Sequence, residues 1–113
     1  MSWLFGAFLI AHGLVHAAIW MAPASDDVPF DVRHSWLLGE LGSSTTVVAL
    51  AAVAVFVVAG VAFLAGAQWW PGVLLAASLI SLALLLVTFT PWWLLGVGID
   101  VALAAVALRE LWT

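Results

Sequence analysis

Four runs of apolar residues, each long enough to cross a lipid bilayer, fill almost the whole of this 113-residue chain. They extend over about 3–21, 44–67, 72–90 and 92–111. At a rise of ~1.5 Å per residue, about twenty residues cross ~30 Å of hydrocarbon, so each run suffices for one spanning helix. None alternates polar and apolar residues, which sets aside the strands of a membrane barrel. The predicted fold class is therefore all-α: a polytopic membrane protein, an antiparallel four-transmembrane-helix bundle. It forms a single membrane domain over 1–113, with an acidic extramembrane loop over 22–43.

Composition excludes the main alternatives. With 67% hydrophobic and 7% charged residues, the chain lacks the polar surface to cover itself in water. Two basic residues make no phosphate footprint, so nucleic acid is excluded as a partner. Four spans leave about thirty residues, too few for a soluble catalytic or dinucleotide-binding domain. The chain has no cysteine, which removes disulfides, thiolate metal sites and thiol redox chemistry.

Tryptophan placement points to the same division into spans. Trp3, Trp69, Trp70 and Trp112 fall at run ends that an up-and-down path puts on one side of the membrane; Trp20, Trp36, Trp92 and Trp93 fall on the other. Such a split predicts two interfacial belts, because the indole ring is apolar while its N–H wants a polar partner. Pro71 and Pro91 suit the first turns of the third and fourth helices, and the short connections imply antiparallel neighbours. The loop over 22–43 carries three of the chain's four net negative charges, with Asp26, Asp27, Asp31 and Glu40 against Arg33. Within it, Val32, Trp36 and Leu37 share one helical face, so a short interfacial helix is expected over Asp31–Leu41. Ser43, Ser44, Thr45 and Thr46 offer hydroxyls to cap the second helix. Ala22-Pro23-Ala24 looks like a signal-peptidase site. No Lys or Arg precedes the first run, however, and two histidines interrupt it, so it reads as a retained helix. Arg33 and Arg109 balance in the positive-inside count; the acidic loop then favours both termini in the cytoplasm.

Three ionisable residues remain deep in the spans: His12, His16 and Asp100. An Asp at a helix centre costs about 2.5–3.5 kcal/mol on insertion scales, so it should face the bundle and find a partner. His12 lies nine residues from Trp3, and Asp100 nine residues from Arg109. Both therefore sit ~14 Å below the same interface. Ser78 and Ser81 reach a similar depth on the third helix, and His16 lies one turn beyond His12 on the same face. Gly96, Asp100, Ala104 and Ala107 form a small-residue stripe on the fourth helix, and Gly6, Gly13 and Ala17 form one on the first. Small residues let membrane helices approach closely. Packing of the first helix on the fourth is expected, bringing His12 to Asp100.

The chemistry of this cluster admits several uses. A carboxylate beside imidazole can take up and release a proton. His12, His16 and Asp100 could alternatively supply three metal ligands, although His-x-x-x-His lacks the adjacent Glu of the hydrolytic zinc motif. Haem is not expected within one chain, since His12 and His16 share a helix and cannot reach opposite faces of a haem. A structural reading makes the His–Asp bond a fixer of helix register, with the serine hydroxyls bonded to their own backbone. His34 and the loop carboxylates read as solvated surface, and Arg109 as an interfacial anchor.

His12-Gly13-Leu14-Val15-His16, the Ala59-Gly60 pair, Trp69-Trp70 at the central turn, and Trp92 before a last helix with a central polar residue resemble a group of uncharacterised small bacterial four-helix membrane proteins. The resemblance covers most of the chain and implies a four-helix fold with no established activity. Where the last helix of that group often looks to carry Asn, this chain has Asp100. The Glu that small multidrug carriers would place in the first helix is absent. The leading expectation is an integral membrane protein whose His12, His16, Asp100, Ser78 and Ser81 site binds a small lipophilic ligand or conducts a proton or small solute. Its rivals are an intramembrane acid–base or metal-dependent enzyme acting on a lipophilic substrate, and an accessory subunit with a structural cluster. Expected partners are the lipid bilayer, a small lipophilic ligand, and further copies or subunits of a membrane complex; the expected location is a bacterial plasma membrane.

Overall fold

The computed structural model of the protein describes residues 2–21 and 34–112. Four α-helices dominate them: α1 (Ser2–Trp20), α2 (Ser44–Ala65), α3 (Trp70–Val87) and α4 (Leu94–Trp112). A 3₁₀ turn over Pro91–Trp93 leads into α4. The molecule measures 43 × 23 × 21 Å, and its long axis matches the ~40–45 Å of a bilayer with its headgroups. By length and composition α1, α2 and α3 can each cross a membrane. The fourth helix is as long, at 19 residues, but differs in carrying three charged side chains, Asp100, Arg109 and Glu110. Three helices rather than four thus carry a membrane-span signature.

Local chemistry sets the helix ends. Pro71 occupies the first turn of α3, where a missing N–H leaves no bond unmade. Gly66 closes α2 in the left-handed region (φ 76°), its N–H turned back to the carbonyls of Ala62 and Phe63, a conformation that favours glycine. The expected hydroxyl cap of α2 does not form. Ser43 makes no capping bond, while Ser44 and Thr45 donate backwards to the carbonyls of Leu41 and Gly42. Short hydroxyl side chains compete for nearby backbone groups in this way.

Residues 22–33, with Asp26, Asp27, Asp31 and Arg33 of the expected acidic loop, lie outside the described residues. The interfacial helix expected over Asp31–Leu41 does not form in its described part. A small antiparallel hairpin stands there instead, β1 (His34–Ser35) against β2 (Gly39–Glu40). Gly39 supplies the positive φ the turn needs, at 81°, and the Ser35 hydroxyl accepts the N–H groups of Leu37 and Leu38. Trp36 and Leu37 are consequently exposed. The hairpin also finishes α3. Ser35 Oγ donates to the Val87 carbonyl at 2.6 Å and Trp36 Nε1 to the Leu86 carbonyl at 2.7 Å. These are among the carbonyls a helix end leaves without an internal partner.

Close helix packing runs from α1 to α2, α2 to α3 and α3 to α4, so the expected close packing of the first helix on the fourth is not what the chain adopts. The small residues of α1 serve α2 instead. A Cβ on Gly60 would lie 2.9 Å from the Gly6 carbonyl oxygen and 2.6 Å from Ile10 Cγ1. On α4, a Cβ at Gly96 would meet Leu85 of α3 at 3.1 Å. Two apolar clusters result. One, at the end bearing the N-terminus of α1 and the C-terminus of α4, includes Leu9, Phe56, Leu74 and Leu103. The other, at the hairpin end, includes Trp20, Leu84, Leu85 and Trp93. Trp20 and Trp93, expected in an interfacial belt, are therefore interior, with ring centroids 5.5 Å apart. Trp3, Trp69 and Trp112 are exposed at the opposite end.

Candidate functional site

Between these two apolar clusters lies a run of polar side chains from three helices. α1 presents His12 and His16 one turn apart, α3 presents Ser78 and Ser81, and α4 presents Asp100. His12 Nε2 lies 2.8 Å from Asp100 Oδ1. The Ser81 hydroxyl lies 2.5 Å from the other carboxylate oxygen, Oδ2, and 2.6 Å from His16 Nε2. His16 Nδ1 donates to the carbonyls of His12 and Gly13 at 3.0 and 3.2 Å. Asp100 and Ser81 have no exposed surface, and His16 is 4% exposed. The bonds among Asp100, Ser81 and His16 therefore act in a medium of low dielectric, while His12, with 10% of its side chain exposed, borders the surface.

Sequence reasoning placed His12 level with Asp100, and the two side chains do meet. They meet across a wider gap than expected, bridged by the imidazole and carboxylate rather than by closely packed backbones. Ser81 was expected at this depth and joins the chain of bonds. Ser78, one turn earlier on α3, is fully buried, and its hydroxyl is without a hydrogen-bond partner among the described residues. Neither serine bonds its own helix backbone, which corrects the structural reading of that pair.

Phe56 of α2 is the member of the site that sequence reasoning missed. Its ring meets His12 edge-on at 5.0 Å and stacks near His16 at 5.8 Å. Gly13 makes this approach workable, because a Cβ there would fall 2.6 Å from Phe56 Cβ. The glycine inside His12-Gly13-x-x-His16 was thus the available signal: it marks where α2 must press between the two imidazoles. Phe8 stacks on His12 and Trp20 on His16, completing an apolar casing around the rings.

The metal reading does not fit the donor geometry. Among the described residues no group of three or more His, Cys, Asp or Glu is placed to hold a metal ion. His16 commits one nitrogen to backbone carbonyls and the other to Ser81, so His12, His16 and Asp100 do not converge on a common point. An apolar groove between α2 and α3, lined by Leu41, Thr45, Val48, Leu84 and Val87 among others, includes none of the cluster's residues. His34 pairs with Glu40 at 2.7 Å on the exposed hairpin, well away from the site.

The arrangement can do two things chemically. A carboxylate, a hydroxyl and an imidazole in direct contact can pass a proton along their bonds. The same bonds tie α1, α3 and α4 together. Comparison with known protein families, curated proteins and solved structures finds no match.

Proposed function

We propose that this is an integral membrane protein whose buried His12–Asp100–Ser81–His16 chain takes up a proton and hands it on within the bilayer. One observation carries the reading: donor–acceptor contacts of 2.8, 2.5 and 2.6 Å run without a break through the four side chains. Ionisable groups are costly at that depth, and in membrane proteins they mark proton and solute paths. The apolar clusters at both ends support it further, since they keep bulk water from short-circuiting a proton held between them. In this reading the chain sits in a bacterial plasma membrane with both termini cytoplasmic, as the acidic loop favours.

The test is proton flux into vesicles reconstituted with the purified protein, driven by a potassium diffusion potential and followed with an enclosed pH-sensitive dye. The wild type is expected to acidify the vesicles faster than protein-free controls, and Asp100→Asn to abolish the difference while remaining folded. A second reading, a purely structural cluster, is favoured by the way the same bonds bridge α1 to α4, whose backbones do not pack closely. Asp100→Asn with unchanged flux and a lowered melting temperature would decide for it.

A further inference from the structure

The hydrogen-bond contacts of the cluster fix the place of all but one of its hydrogens. His16 Nδ1 faces two carbonyl oxygens. Carbonyls only accept, so Nδ1 carries a hydrogen. Ser81 Oγ then stands between His16 Nε2 at 2.6 Å and Asp100 Oδ2 at 2.5 Å. A hydroxyl owns one hydrogen and can donate in only one of these directions. The second bond needs another hydrogen, held either on Asp100 Oδ2 or on His16 Nε2. With His12 donating from Nε2 to Asp100 Oδ1, both placements leave the cluster neutral as a whole. Neutrality is what a buried site in hydrocarbon favours.

We infer that the cluster stores one exchangeable proton shared between Asp100 and His16, and that Ser81 is the relay that carries it. The transfer balances without any further reactant. The Asp100 Oδ2–H bond breaks as its proton joins Ser81 Oγ, and the original Ser81 hydrogen passes to His16 Nε2. Carboxylic acid and imidazole become carboxylate and imidazolium, and Ser81 regains its own composition with its hydrogen bond reversed. Among the described residues, His12 is the one further titratable group on this path, bonded to Asp100 Oδ1 at 2.8 Å and with its ring 5.4 Å from that of His16. α2 contributes Phe56 and contains no ionisable residue, α3 contributes only hydroxyls, and the remaining charges of α4, Arg109 and Glu110, are exposed at its far end. The inference rests on the proton-site reading for its use; the count of hydrogens follows from the contacts themselves.

The experiment uses the full chain in lipid nanodiscs, labelled with ¹⁵N-histidine and ¹³C-aspartate. Imidazole nitrogens are read by NMR and the carboxyl C=O stretch by infrared difference spectroscopy. Signals are assigned by their loss in His16→Gln and Asp100→Asn. In the wild type, His16 Nδ1 should be protonated, and every gain of proton at Nε2 should be matched by loss of the Asp100 carboxyl band. Ser81→Ala should uncouple the two signals and Ser81→Thr, which keeps the hydroxyl, should restore them. An unprotonated Nδ1, a neutral His16 beside a permanently ionised Asp100, or signals that stay coupled in Ser81→Ala would each overturn the inference. If Ser81→Ala does not fold, the wild type and Ser81→Thr still decide, because the matched exchange must appear in both. Coupled signals with no vesicle flux would remove the conduction reading and leave the shared proton. Flux that survives in Ser81→Ala would remove the relay and leave conduction.

Discussion

Ser78 and Ser81 lie three residues apart on one helix, both without exposed surface, yet their hydroxyls have opposite fates. Ser81 is bonded on both sides, so removing its hydroxyl strands a carboxylate oxygen and an imidazole nitrogen in the interior. Leaving such groups unpaired costs about 1–3 kcal/mol. Ser81→Ala is therefore expected to lower the thermal midpoint in detergent. Ser78 Oγ has no partner among the described residues, so Ser78→Ala should leave that midpoint unchanged or raise it. Equal losses from the two variants would show that the hydroxyl network does not set stability. Depth along the helix axis was legible beforehand, because rise per residue is fixed, and it paired His12 with Asp100. Rotation about the axis was not. Two serines spaced by three residues point in directions only about 60° apart, too fine a difference for an apolar pattern to resolve when the helix is apolar on every side.

Helices were legible as elements, and their boundaries fell within a few residues of the expected runs because Pro71, Gly66 and Pro91 punctuate them. Their neighbours were less so. Stripes of small residues announce close approach but not its partner, and Gly6, Gly13 and Gly60 turn out to join α1 to α2. A Cβ at Gly60 would press on a backbone oxygen 2.9 Å away, which no side-chain rotation relieves. Gly98, within α4, has nothing within 4 Å of its would-be Cβ. Gly60→Ala should thus destabilise the bundle, in the range of about 1–3 kcal/mol typical of overpacking. Gly98→Ala should raise stability by up to about 1 kcal/mol through helix propensity. Thermal unfolding of the two variants in one detergent checks both signs; a stabilising Gly60→Ala would remove the α1–α2 glycine contact from the fold. The hairpin at 34–40 escaped sequence reading for a related reason. The spacing of Val32, Trp36 and Leu37 suits a helical face, but Gly39 and the Ser35 hydroxyl favour a tight turn, and α3 supplies carbonyls that reward it.

At the scale of the whole molecule, three helices long and apolar enough to cross a bilayer raise the question of a fourth span in α4. Its charges argue against it by composition, yet their positions argue for it. Arg109 and Glu110 sit in the last turn, where long side chains can reach the interface. Asp100 is the one ionisable residue deeper in, and it is fully buried and bonded to both α1 and α3. Leu94, Leu95, Val101, Val106 and Leu108 are exposed on the outer surface of α4; a patch of that kind is costly in water and suits lipid. A polar group turned inward and apolar side chains turned outward are what a lipid-facing helix requires. Because the chain has no cysteine, single substitutions can report its path. Trp69→Cys, between α2 and α3, and Trp112→Cys, at the end of α4, should react with a membrane-impermeant maleimide from the same face. Leu38→Cys in the hairpin should react from the opposite one. Under the proposed orientation, with both termini cytoplasmic, Leu38→Cys is expected to label in intact cells and the other two only in inverted vesicles. Labelling of Trp112→Cys from the hairpin face would mean that α4 turns back, and the level meeting of His12 with Asp100 could not then be an intramembrane one.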